Sequence, residues 1–224
     1  MQERTVRTGE AICVLLSLLV VPAFAASPTG EDPLVESCGD FRFVDMAKLD
    51  FRTANTDPES AKYLWNLDHY HTDLAEEEMR KPYPYPRAVV ENLDYSLRHS
   101  PNHHRALALL TRYAAAGRPM LGYPSAACYL GWAQRFAPDD ETVYLYGANY
   151  YWKKGDVGRA TAWYRKALEL APQSAEAHYN FGLMLFSQKN YEEAREHARK
   201  AYDLGFPLPG LRDKLERAGH PIRP

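Results

Sequence analysis

The chain has no surplus of charge of either sign: 27 basic residues stand against 29 acidic ones in 224. That balance excludes the basic footprint of a nucleic-acid binder and the acidic run of a disordered tail. The common catalytic signatures are missing as well. There is no His-Glu-x-x-His, no Gly-x-Ser-x-Gly and no phosphate-cradling glycine loop, so metalloprotease, serine-hydrolase and nucleotide chemistry lack their residues. Without Cys-x-x-Cys-His there is no covalent haem attachment. Cysteine is scarce, at 3 copies, and neither Cys38 nor Cys128 sits in a close-spaced Cys/His ligand motif, which argues against a zinc module. Long apolar runs are also missing. The longest, Ala11 to Val21, is too short for a comfortable membrane span.

That short run has the surroundings of a secretory signal. Arg4 and Arg7 precede it, Pro22 breaks it, and Ala23-Phe24-Ala25 supplies a small-x-small cleavage pattern. The expectation is a signal peptide over 1–25, a mature chain starting at Ala26, and a soluble protein exported to a bacterial periplasm. An uncleaved anchor is the alternative. The mature chain keeps Cys38 and Cys128, and an even count in an oxidising compartment predicts a disulfide between them.

What the sequence does contain is a period. Residues 141–174 superimpose on 175–208 at a shift of 34. Ala126, Ala160 and Ala194 fall in one column, and Ala133, Ala167 and Ala201 in another. Small side chains there let helices approach closely, and Ala148 with Gly182 does the same in a preceding helix. Large residues fill between them: Tyr144 with His178, Tyr151 with Leu185, Leu130 with Tyr164. Pro138 and Pro172 mark helix ends, since the residue before proline resists helical backbone. Turns fall at Gly155-Asp156 and Lys189-Asn190.

A fixed period of this length is the mark of a stacked helix–turn–helix array, and these residues resemble the tetratricopeptide repeat family. The resemblance is strong for 141–174 and 175–208, stretched for 104–140 by a longer loop over 117–124, and degenerate over 70–103, where Glu77 takes the slot for a small residue. It implies an all-α solenoid of stacked antiparallel helix pairs with a concave groove. An irregular extension over 26–69 would precede the array, and a capping helix within 209–224, from Leu211 to Ala218, would close it. Strings such as Pro101-Asn102-His103-His104-Arg105 and Gly205-Phe206-Pro207-Leu208-Pro209-Gly210-Leu211 are similar to those of a group of secreted bacterial tetratricopeptide proteins.

The family resemblance also implies where a partner would bind. Carried onto this chain, groove positions include Arg105, Arg112, Asn149, Trp152, Lys153, Tyr179 and Phe186. The cations would orient a carboxylate or an acidic segment, Asn149 would bond a peptide backbone, and the aromatics would supply rigid contact. The expected function is a periplasmic protein–protein interaction module that scaffolds or assists assembly of an envelope complex. It would have a protein or peptide partner, no enzymatic role and no cofactor.

The other constellation lies in the front of the chain. His69 and His71 form a His-x-His, His103 and His104 are adjacent, and His99 is near. Grouped imidazoles are zinc or copper ligands when they converge, which makes a metal-handling or enzymatic protein the alternative. Asp57-Pro58 has the form of a helix start, Tyr63 to His71 reads equally as helix or extended chain, and Thr72-Asp73 looks like a start for a short helix to Arg80. Pro82, Pro84 and Pro86 alternate with Tyr83 and Tyr85, which predicts an extended connector.

Overall fold

The computed structural model describes Cys38 and residues 49–222 of the chain. The expected signal peptide and the segment carrying Phe41, Phe43 and Met46 lie outside the described residues. Among the described residues there is no strand, and no helix is long and apolar enough to cross a membrane.

Helix α1 (Pro58–Leu67) runs through a π-helical turn at Asp68–Thr72 into α2 (Asp73–Arg80). The start is set by Asp57, whose carboxylate accepts from the backbone N–H groups of Glu59 and Ser60, with Pro58 at the first helical position. Two expectations are therefore corrected. Thr72 begins no helix: it is buried in a continuous one, and its hydroxyl bonds Ser96 and the Leu67 carbonyl instead of a helix end. The stretch read as an irregular extension to residue 69 is helical from Pro58. The π turn also moves the small-residue slot. Ala75 is fully buried, whereas Glu77 points to solvent, because an inserted residue rotates the face that follows.

After a non-helical link containing the exposed Tyr83 and Tyr85, four helix pairs stack in order. α2 packs on α3 (Pro86–His99), α4 (His104–Ala115) on α5 (Ala126–Phe136), α6 (Glu141–Lys153) on α7 (Val157–Leu170), and α8 (Ala175–Ser187) on α9 (Tyr191–Asp203). The first helices α4, α6 and α8 also touch in succession. Helix α10 (Gly210–Arg217) closes the end, packing on α8 and α9 through the fully buried Leu211 and Leu215.

The two alanine columns are the floor of this stack. Ala126, Ala133, Ala160, Ala167, Ala194 and Ala201 are all buried, as is Ala148. At Gly182 a β-carbon would lie 2.6 Å from Leu211 Cδ2, so the cap seats where the side chain is absent. The repeat also recurs in detail. Asp140 and Ser174 cap α6 and α8. Gly155 (φ 81°) and Lys189 (φ 62°) make the same left-handed turn. Tyr144 Oη and His178 Nε2 both donate to a proline carbonyl, of Pro138 and Pro172 respectively, each at 3.0 Å.

One column breaks the pattern by compensation. Trp163 in α7 lies over Gly147, whose missing β-carbon would fall 2.0 Å from the indole. At the equivalent sites of the next repeat Phe181 faces His197, with ring centroids 4.6 Å apart. Glycine with a large ring in one repeat is exchanged for a large ring with a small one in the next, which holds the packed volume near constant.

The front docks on the array through a polar knot. Asp140 is fully buried, and its carboxylate accepts from Asn102 Nδ2 (2.9 Å), His104 Nε2 (2.8 Å) and the Thr142 amide (3.1 Å). Asn102 also bonds Asp50 and the Phe51 amide, and the Phe51 ring rests on His103 and His104. The hydrogen bonds from Arg52 hold Asp50 down to about 2, so this carboxylate stays ionised across the ordinary pH range.

Candidate functional groove

The first helices of the last three pairs line a cleft of ≈ 620 Å³. Helix α4 contributes Ala108, Thr111 and Arg112, α6 contributes Tyr146, Asn149, Tyr150, Trp152 and Lys153, and α8 contributes Asn180 and Leu183. These residues share a face because helical positions three and four apart lie one above the other, as 146, 149, 150 and 153 do on α6.

The electrostatics of the cleft are one-sided. Arg112 and Lys153 line it and no carboxylate does. Neither cation has an acidic partner among the described residues, and both are exposed. Lys153 Nζ lies 5.5 Å from the centre of the Trp152 ring, which holds a positive charge at the edge of an aromatic surface. The Tyr164 hydroxyl donates to Asn149 Oδ1, which fixes that amide and leaves its N–H donors for a ligand. Burial raises Tyr146 and Tyr150 above the ordinary phenol value, so both present neutral hydroxyls. The arrangement can hold an extended chain by amide hydrogen bonds, orient an anionic group, and cover apolar side chains with rings.

Four of the positions expected from sequence, Arg112, Asn149, Trp152 and Lys153, come together here. The other three stand outside this lining. Arg105 is committed internally: its guanidinium pairs with Asp73 (2.6 Å), Glu76 (2.6 Å) and Asp68 (3.3 Å) of the α1–α2 helix. The hydrogen bond from Arg105 holds Glu76 below the usual carboxylate range. Tyr179 is buried and stacks on Phe206 at 4.2 Å, so its ring is part of the terminal core. Phe186 packs on Tyr191 and under Lys214 of the cap. Sequence reasoning missed Thr111, Tyr146, Tyr150 and Asn180. The usable signal for the tyrosines was their helical spacing from Asn149 and Lys153.

The front histidines are each held separately. His69 stacks on Trp65, His71 bonds Asn92, and His99 Nδ1 bonds the Tyr95 carbonyl. His103 caps α4 by accepting from the Ala106 amide, and His104 bonds Asp140. Among the described residues no group of three His, Cys, Asp or Glu side chains is placed to hold a metal ion. Cys38 stands beside Cys128 with Cα atoms 5.6 Å apart, inside the range that a disulfide spans.

Compared with known families, residues 145–205 match the model of the tetratricopeptide repeat. No curated protein matches the chain.

Proposed function

We propose that this chain, which carries tetratricopeptide repeats, is an interaction module that holds an acidic, extended segment of a protein partner in its concave groove. Repeats of this family generally bind proteins and do not catalyse. The observation that carries the reading is a cleft across three successive first helices with two unpaired cations, two asparagines, three aromatic rings and no carboxylate in its lining. Positive charge without internal neutralisation steers and orients an anionic partner, while the rings carry most of the affinity. Binding should be read by fluorescence anisotropy with matched acidic and basic peptides of equal length. The acidic peptide should bind more weakly as salt rises. Trp152→Ala should weaken it by about thirtyfold, the loss of one aromatic anchor of roughly 2 kcal/mol. Equal binding of both peptides, or none by either, refutes the reading.

The reading includes the compartment. A signal peptide over 1–25, cleaved before Ala26, would deliver a soluble chain to the periplasm, where the module would scaffold or assist assembly of an envelope complex. Its support is the short apolar run with its cleavage pattern, together with the placement of Cys38 against Cys128. A bond between them would tether the front to the first turn of α5. Closing a loop of sequence separation 90 stabilises by about 4–5 kcal/mol in the chain-entropy model. Intact mass and thiol titration of exported, unreduced protein check both parts. A retained Met1 or two free thiols would count against them.

A further inference from the structure

The last repeat carries a titratable pair in a slot that its predecessor fills with groups silent at ordinary pH. In the 141–174 repeat, Tyr144 donates to the Pro138 carbonyl and lies against Trp163, with ring centroids 5.4 Å apart. Shifted by one period, the same two positions hold His178 and His197. Their rings are 5.0 Å apart and their Nδ1 atoms 2.8 Å apart. The proton positions follow from the partners. The Pro172 carbonyl only accepts, so His178 Nε2 carries a hydrogen and, in the neutral ring, Nδ1 is bare. His197 Nδ1–H must then donate to it. A first added proton leaves this N–H···N contact in place but creates a cation there. A second sets two N–H groups against each other at 2.8 Å.

Only the Pro172 carbonyl, on the His178 side, favours that charge, and burial outweighs it. The ionic groups acting on it are Lys200 on α9 and Arg165 on α7, both cations. Helix α8 faces it with Phe181, and α10 approaches through Leu211, both apolar. His178 is buried.

We propose that the His178–His197 pair is an acid-sensitive latch that holds the α8–α9 hairpin closed while neutral and releases it when protonated. Opening the hairpin would draw Asn180 and Leu183 away from the cleft, so an occupant would be discharged by acid. That second half rests on the groove reading, whereas the opening itself does not. Burial, with the neighbouring cations, pushes His197 down to about 4, and burial lowers His178 as well. The neutral form is thus the one the fold favours. Its contribution is complete above the ordinary imidazole value and drains away as pH falls from there towards about 4.

The latch is tested without any ligand, by hydrogen exchange of the full chain at pH 7 and pH 4.5, corrected for intrinsic rates. The expected result is a loss of protection on the order of tenfold or more over 175–203 relative to 141–170. His178→Tyr, which restores the donor of the preceding repeat and leaves one titrating ring in place of two, should clearly diminish the difference. Equal protection ratios at both pH values, or an undiminished acid loss in the variant, overturns the proposal. Ring titration of the wild type by NMR covers the case where the variant does not fold. A His197 midpoint near 4 to 5 supports the latch, and one near 6.5 overturns it. Release of a bound acidic peptide on acidification is scored separately. Opening without release would leave the latch standing and count against the groove.

Discussion

Adding one methyl group at Gly147 should destabilise the protein, and adding the same group at Gly158 should not. Both glycines lie in helices, so helix propensity alone predicts that alanine helps at each by up to about 1 kcal/mol. The surroundings differ. At Gly158, in the first turn of α7, the nearest atom to a new β-carbon is Asp156 Oδ1 at 3.8 Å, an ordinary contact. At Gly147 the new carbon would stand 2.0 Å and 2.1 Å from two indole atoms of Trp163. The ring would have to withdraw by more than an ångström, yet Trp163 is 7% exposed and wedged between Tyr144 and Tyr151, each with its ring centroid 5.4 Å away. Overpacking a rigid site costs about 1–3 kcal/mol, and expelling the indole would cost about 3–5 kcal/mol. The rigid surroundings put the overpacking cost near its upper end, about 3 kcal/mol, so after a propensity gain of at most about 1 kcal/mol Gly147→Ala loses roughly 2 kcal/mol, while Gly158→Ala gains a few tenths or more. In a domain of this size the two variants should melt about 5–10 °C apart. Thermal denaturation followed by circular dichroism reads this directly. A third variant sharpens it: Trp163→His in the Gly147→Ala background should cost less than the sum of the two changes, because it vacates the space that the methyl needs. If Gly147→Ala melts at or above the wild type, the packing argument is wrong.

Two further outcomes are expected. Ala160→Leu and Ala194→Leu should each lower stability by roughly 1–3 kcal/mol, since both alanines are fully buried where paired helices meet, and unchanged urea midpoints for both would break the repeat register. Lys189→Gly should stabilise slightly, by up to about 1 kcal/mol, because Lys189 adopts φ 62° in the turn that Gly155 makes in the preceding repeat, and a lower melting temperature would contradict this.

The sequence carries the periodic part of this molecule openly, because stacking imposes the same local demand every repeat. A buried alanine at 126, 160 and 194 answers one geometric need, the close approach of two helices, and that need recurs with the chain period. The sequence hides whatever is settled between elements. Gly147 with Trp163 and Phe181 with His197 fill equivalent space in opposite ways, and neither substitution is intelligible until the two helices are laid together. The same holds at Thr72, where a π turn inside one helix imitates a helix start and moves the buried face from position 77 to Ala75.

Arg105 shows what this means for function. Its helical position is equivalent to that of a groove residue, and a family template therefore counts it with Arg112 as a cation for a ligand. Its guanidinium instead meets Asp68, Asp73 and Glu76, supplied by a helix that ends more than twenty residues upstream. Three carboxylates around one arginine neutralise it before any partner arrives, whereas Arg112 and Lys153 face a lining without acid. Periodicity places a side chain, but only its neighbours decide whether its charge is still available. For that reason the charge left unneutralised in this cleft is that of Arg112 on α4 and Lys153 on α6, and the front of the chain serves to hold the first repeat in place.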